Sequence, residues 1–417
     1  MRLFEPRRIP WDVAGLLLLV GCVAAIGCSP VPGLLRKGDG LAAEGKYEEA
    51  LAAYIEAGGH ETDTAVGLLK AGKIYLELNK PVEAKQIFQR ALEKVPKSSA
   101  AFTGMARAFL MKNMRTAAEQ ALTRAMKADP LDAVPYFVRG QMLVQDGKPE
   151  DALVMYDKAL RRNARYSEAH LRRGDLFFTW GKGKEALKAY RLAVATDKEN
   201  YEARVQIGRT YLLAKKFDKA VATLEEVTRK ARRNAWGHFY LGEALLARSE
   251  AEKAIGAYQN ALRQDRKLGL AHVRLGQIYE GNMLVDKALR QYQKAVKVAP
   301  RLLEGWLTLA RYNLDRNLPK AARKNLERAL KIKPDHVPAR VLLGRLYVER
   351  RKYVRAVSVL EEVIQLQYMN NEAHYYLGRA YVGMGELDKA TVEYNALAMA
   401  NDDRAEALLK LIRSKGR

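Results

Sequence analysis

Cysteine is almost missing from this chain: Cys22 and Cys28 are the only two, and none follows in the remaining 389 positions. That excludes a disulfide framework for the body of the protein and a zinc site built on thiolates. The pair itself has no third or fourth ligand beside it, so it is not a metal site either. Acidic side chains are short as well, with 48 Asp plus Glu against 72 Lys plus Arg and a net charge of +24. Such an excess attracts nucleic acid, anionic lipid, acidic glycan or acidic protein, without choosing among them. Long apolar runs are lacking except for Val13 to Gly27, an uncharged stretch of 15 residues. A membrane-spanning helix needs about 20. No HExxH, no dinucleotide loop and no nucleophile–base pair occurs. The nearest match is "GLLKAGKI" at 67–74, where Ile74 stands in place of the magnesium-binding hydroxyl of a phosphate loop. The expectation is a protein without catalytic residues, cofactor or metal.

The first thirty residues read as an address. Arg2, Arg7 and Arg8 precede the apolar run, which ends in small residues and a cysteine. The stretch resembles a bacterial lipoprotein signal over residues 1–27, with residues 28–30 as a lipidated start. Cys28, in "AIGC", is the favoured lipid acceptor, and Cys22, in "LVGC", is the competing frame. Ala25 stands where such signals usually carry Leu. With Ser29 beside the lipid, the resemblance implies an outer-membrane anchor facing the periplasm; an uncleaved inner-membrane anchor is the alternative.

What the rest of the chain has in abundance is period. Steps of 34 from Gly38 land on Gly72, Ala106, Gly140, Gly174, Gly208, Gly242, Gly276, Ala310, Gly344 and Gly378. Steps of 34 from Ala50 land on alanine ten times, ending at Ala390. Two unbroken columns of small residues mark places where two helices cross closely. Gly or Asn recurs between them (Gly45, Asn79, Asn113, Gly147, Gly181, Asn317, Gly385), where a first helix must end in a left-handed residue. One hairpin cannot bury its apolar face alone, but stacked neighbours can.

This 34-residue pattern resembles the tetratricopeptide repeat. Counting position 1 at residues 31, 65, 99, 133, 167, 201, 235, 269, 303, 337 and 371, the repeat 65–98 supplies Leu68, Gly72, Tyr75, Ala84, Phe88, Ala91 and Pro96 at the pattern positions. Lys198, Arg232 and Arg266 depart from it where proline is usual. The expected fold is an all-α, right-handed solenoid of about eleven helix–turn–helix repeats over 31–404, with a capping helix and basic tail over 405–417.

The resemblance implies a ligand groove lined by the first helices at positions 2, 5, 9, 12 and 13. Positions 5 and 12 there are mainly apolar: Leu69, Leu76, Leu110, Phe137, Val144, Leu171, Phe178, Val205, Leu212, Phe239, Leu246, Leu307, Val341 and Tyr375. Position 9 is Lys73, Arg107, Arg209, Arg311, Arg345 and Arg379 in six repeats. An apolar stripe dotted with cations suits a protein or peptide ligand carrying apolar and acidic groups. The clamp for chaperone carboxylate tails, with Lys at position 5 and Asn at position 9, has no counterpart here.

Two further features stand out. His170, His238, His272 and His374 all occupy position 4 in separate hairpins, and equivalent positions in even adjacent hairpins are about 10 Å apart, too far to share one metal. They are expected to pack. Residues 301–355 hold 15 Lys or Arg against 5 Asp or Glu. Lys320, Arg323, Lys324, Arg328 and Lys331 form an outward basic patch on a second helix, suited to an acidic polysaccharide or anionic lipid; the lack of interleaved aromatic platforms argues against nucleic acid. The resulting expectation is a lipid-anchored scaffold of the bacterial envelope, an adaptor for assembly of a secretion, pilus or outer-membrane complex. It resembles the pilotin and secretin- or exopolysaccharide-assembly lipoproteins.

Overall fold

The computed structural model describes residues 30–60 and 65–415. The signal-type segment and both cysteines lie outside the described residues. Every regular element among the described residues is an α-helix, 23 in all. They come in antiparallel pairs: Val31–Ala43 with Tyr47–Gly59, Val66–Glu77 with Pro81–Lys94, and so on to Asn371–Met384 with Leu387–Met399. A single helix, Arg404–Lys415, follows the last pair. The chain divides into two compact units, Met1–Arg204 and Val205–Arg417. Within each unit the hairpins stack in chain order.

The turn inside each hairpin is made the same way. Its central residue is left-handed at Gly45, Asn79, Asn113, Gly147, Gly181, Asn317 and Gly385, and also at Lys215, Ser249, Met283 and Arg351. The next amide reaches back into the finished helix, as in Lys46 N–H to Leu41 O at 2.9 Å and Lys352 N–H to Tyr347 O at 2.8 Å. This satisfies carbonyls that the helix end leaves open. A left-handed turn costs a residue with a Cβ about 1–2 kcal/mol, which Gly avoids and Asn reduces.

The small-residue columns explain the pairing. Gly276 sits beneath the Tyr292 ring so closely that a Cβ would lie 2.4 Å from Cε1. Gly140 meets Tyr156 and Gly174 meets Tyr190 in the same manner. The Ala column is fully buried on the facing helix, from Ala50 to Ala390. The final repeat differs. There Leu408 of the closing helix, not the Tyr394 ring, covers Gly378. Leu408 is fully buried and Ile412 packs against the same core, whereas Leu411 remains 38% exposed.

Candidate ligand groove

Position 4 accounts for the histidines. His170 Nε2 lies 2.9 Å from Ala164 O, His238 Nε2 3.0 Å from Arg232 O, and His374 Nε2 2.8 Å from Tyr368 O. Each contact spans six residues back into the loop between hairpins. Trp306 Nε1, Arg340 Nε and Arg204 donate to the equivalent carbonyls of Pro300, Pro334 and Lys198. In these repeats the position takes side chains with a ring or guanidinium nitrogen at the right reach, and histidine meets the same carbonyl as tryptophan. At Lys198 and Arg232, where proline is missing, the same bond fastens the loop. His272 is the exception and turns Nδ1 to Gln291 Oε1 at 2.7 Å. No group of three or more metal-ligating side chains forms among the described residues.

The groove residues separate into two classes. At position 5, Phe137, Leu171, Val205, Phe239 and Val341 are all at most 4% exposed. Phe137, for example, packs on Tyr156 of its own hairpin and on Tyr166 in the loop that follows. These five are core residues and are withdrawn from the ligand surface. Leu69, Leu76, Leu110, Phe178, Leu212, Leu246, Leu307 and Tyr375 are half-buried, and Val144 is exposed. The basic patch Lys320, Arg323, Lys324, Arg328 and Lys331 is exposed along helix Pro319–Ile332.

Position 9 stays open, and its charge follows the core residue at position 24. Where position 24 is tyrosine, position 9 carries an oxygen acceptor: Asp39 with Tyr54, Gln141 with Tyr156, Asp175 with Tyr190, Glu243 with Tyr258, Gln277 with Tyr292. Where it is Phe or Leu, position 9 is Lys or Arg: Lys73 with Phe88, Arg107 with Leu122, Arg209 with Leu224, Arg311 with Leu326, Arg345 with Leu360. Hydrogen bonding accounts for three of the five tyrosine pairs, those of Tyr54, Tyr190 and Tyr258. Tyr54 donates to Asp39 at 2.6 Å and Tyr190 to Asp175 at 3.0 Å. A buried hydroxyl needs an acceptor, which Lys and Arg do not have. Tyr292 instead finds Glu280, at position 12, at 2.8 Å. Only the last repeat, with Arg379 and Tyr394, breaks the rule, and there the ring has left its usual seat.

In the first unit this leaves Lys73 and Arg107 adjacent. Lys73 is reached by water yet walled by protein, and desolvation, then Arg107 and Lys70, hold its pKa below the ordinary lysine value. The acceptor repeats are internally neutralised: Arg172 bridges Asp175 at 2.9 Å and Glu202 at 3.0 Å. In the second unit Arg209 lies 5.6 Å from the Tyr240 ring centre. Arg311, Arg345 and Arg379 then follow in three successive repeats. Arg311 is exposed, Arg345 is held by Glu349 at 2.7 Å, and Arg379 sits 5.6 and 5.8 Å from the rings of Tyr375 and Tyr376. Leu314, Val348 and Val382, at position 12 of the same repeats, are buried. The surface there is cationic and aromatic rather than an apolar stripe.

A family model for the tetratricopeptide repeat matches residues 41–101, 75–136, 178–238, 313–367 and 349–413, more than half of the chain. The chain belongs to the tetratricopeptide-repeat family. A second model of the same repeat matches residues 137–201. Among solved structures, yeast Tom70 is similar at 12% identity over 93% of this chain and 95% of that one, with a TM-score of 0.48. YrrB, a tetratricopeptide-repeat protein with an unusual peptide-binding site, is similar at 23% identity over 44% of this chain and 95% of that one, with a TM-score of 0.35. Pseudomonas aeruginosa pilF is similar at 19% identity over 50% of this chain and 95% of that one, with a TM-score of 0.43. No curated protein matches the sequence.

Proposed function

We propose that this tetratricopeptide-repeat protein is a non-enzymatic scaffold that takes an acidic, extended or helical segment of a partner protein in the first-helix groove of its second unit. The observation that carries the reading is the run Arg311, Arg345 and Arg379 at one position of three successive repeats, beside Tyr375 and Tyr376. Equivalent side chains in stacked hairpins recur about every 10 Å, a spacing that an extended chain spans in three residues. Arginine recognises carboxylates through a planar fork, and tyrosine adds rigid contact area.

The setting of this scaffold is part of the same reading: a lipid anchor on Cys28, or on Cys22, in a bacterial envelope, and an adaptor role in assembling a secretion, pilus or outer-membrane complex. Mass spectrometry of the mature N-terminus tests the anchor, and an intact Met1 sinks it. Crosslinking in intact cells, comparing wild type with Arg311→Glu/Arg345→Glu/Arg379→Glu, tests the groove. Loss of the crosslinked partners is expected; an unchanged set refutes the groove reading. A second reading, an acidic polysaccharide on Lys320, Arg323, Lys324, Arg328 and Lys331, rests on the exposure of all five. It predicts binding that collapses as salt is raised and that survives the groove substitutions.

A further inference from the structure

Three successive turns of the second unit carry both cations and exposed apolar side chains. They join the helices of the hairpins that begin at 269, 303 and 337, and by the repeat they lie along one edge of the stack. Segments 281–287, 315–324 and 349–355 carry nine Lys or Arg against Asp286, Asp315 and Glu349. Glu349 is already taken by Arg345. No carboxylate among the described residues pairs with Lys320, Arg350, Arg351 or Lys352, all of which are exposed. Lys320, Arg323, Arg350, Arg351 and Lys352 share a cleft of about 500 Å³.

The same turns hold their apolar side chains outward. Met283 is 83% exposed, Val354 71% and Leu318 49%. A turn needs no methionine at a left-handed position, yet Met283 has φ 59°, and Arg351 takes the same conformation at φ 56°. The loops at the other end of these hairpins, 298–303, 332–337 and 366–371, carry only Arg301, Lys333 and Asp335 as charges. Their helices are 13 and 14 residues long, so the two edges stand about 20 Å apart. Exposed cations are denser along this edge than along the other, where Lys297, Arg301, Lys331 and Lys333 lie, and the apolar tips project among the denser set.

We propose that this edge docks on an anionic lipid surface. Apolar side chains at turn tips enter the headgroup–acyl boundary while Lys and Arg meet the lipid phosphates. A soluble acidic polymer or peptide uses the cations but leaves Met283, Leu318 and Val354 in water, so the tips favour a membrane. The proposal is separate from the groove reading, because the arginines of the groove are not among the residues it uses.

The test uses the full chain with Cys22→Ser and Cys28→Ser, which removes any acyl anchor. An environment-sensitive dye is attached at Val354→Cys or, on the opposite edge, at Met369→Cys, where Met369 is 85% exposed. Vesicles of phosphatidylcholine with phosphatidylglycerol are expected to shift the Val354 dye to the blue and to leave the Met369 dye unmoved. Arg350→Glu/Arg351→Glu/Lys352→Glu is expected to weaken this binding at least about a hundred-fold, since each juxtamembrane cation contributes about 1 kcal/mol and each reversal repels. The apolar N-terminal run could tether the chain to vesicles, but tethering alone does not move the dye at Val354. No shift with anionic vesicles, equal shifts at both sites, or a shift that persists in phosphatidylcholine alone overturns the proposal. So does a response to a soluble acidic polysaccharide only.

Discussion

The Tyr190 hydroxyl, seated in the core of one hairpin, ends on Asp175 Oδ1 at 3.0 Å on that hairpin's open face. The bond ties a buried residue to a carboxylate that Arg172 also holds. It predicts that Tyr190→Phe lowers stability by about 1 kcal/mol, and that Asp175→Leu costs more in the presence of Tyr190 than beside Phe. A double-mutant cycle in urea measures the difference. Additive effects would mean that the pairing of positions 9 and 24 is not energetic.

Close approach at position 8 gives a second contrast. Gly276→Ala drives a Cβ into the Tyr292 ring and is expected to cost about 1–3 kcal/mol. Gly281→Ala, five residues on, meets nothing within 4 Å and is expected to be neutral or to gain up to about 1 kcal/mol. Thermal melts of the two variants read the contrast directly.

His374 should make stability depend on pH in the direction opposite to His170 and His272. Nδ1 of His374 lies 2.6 Å from Glu393 Oε2, and this bond raises its pKa against the effect of burial. Its contribution is complete below the unfolded value of about 6.5 and is lost as pH climbs through the raised one. Burial lowers the pKa of His170 and His272, so they stay neutral in the fold. Their contribution fades as pH falls below about 6.5, where the unfolded chain takes up protons. Denaturation curves from pH 5 to 9 should show that His374→Gln removes the alkaline loss and leaves the acid loss in place.

Core and surface readings of the groove part at two residues. Phe239→Ala should cost about 3–5 kcal/mol, because the ring is 3% exposed and packs on Tyr258. Arg311→Ala should leave the melting temperature nearly unchanged while weakening any acidic ligand. A destabilised Arg311→Ala would move that arginine into the structural class.

Period, hairpins and seven of the turn residues are legible in the sequence, whereas the left-handed Lys215, Ser249, Met283 and Arg351 are not. The legible features rest on local rules: small residues where helices cross, left-handed residues where first helices end, apolar faces at helical spacing. It also placed the charges of position 9 and the histidines of position 4 on their helices. What it did not decide was exposure. Whether Phe239 or Arg311 meets solvent depends on what folds over it, as Tyr258 does over Phe239, and a one-dimensional pattern treats both as first-helix face. The tertiary structure put position 5 into the core, gave the position-4 histidines a carbonyl to hold, and showed why tyrosine at position 24 calls for an acceptor at position 9. A hydroxyl buried by packing has to find an oxygen, and only the folded stack brings that oxygen within reach.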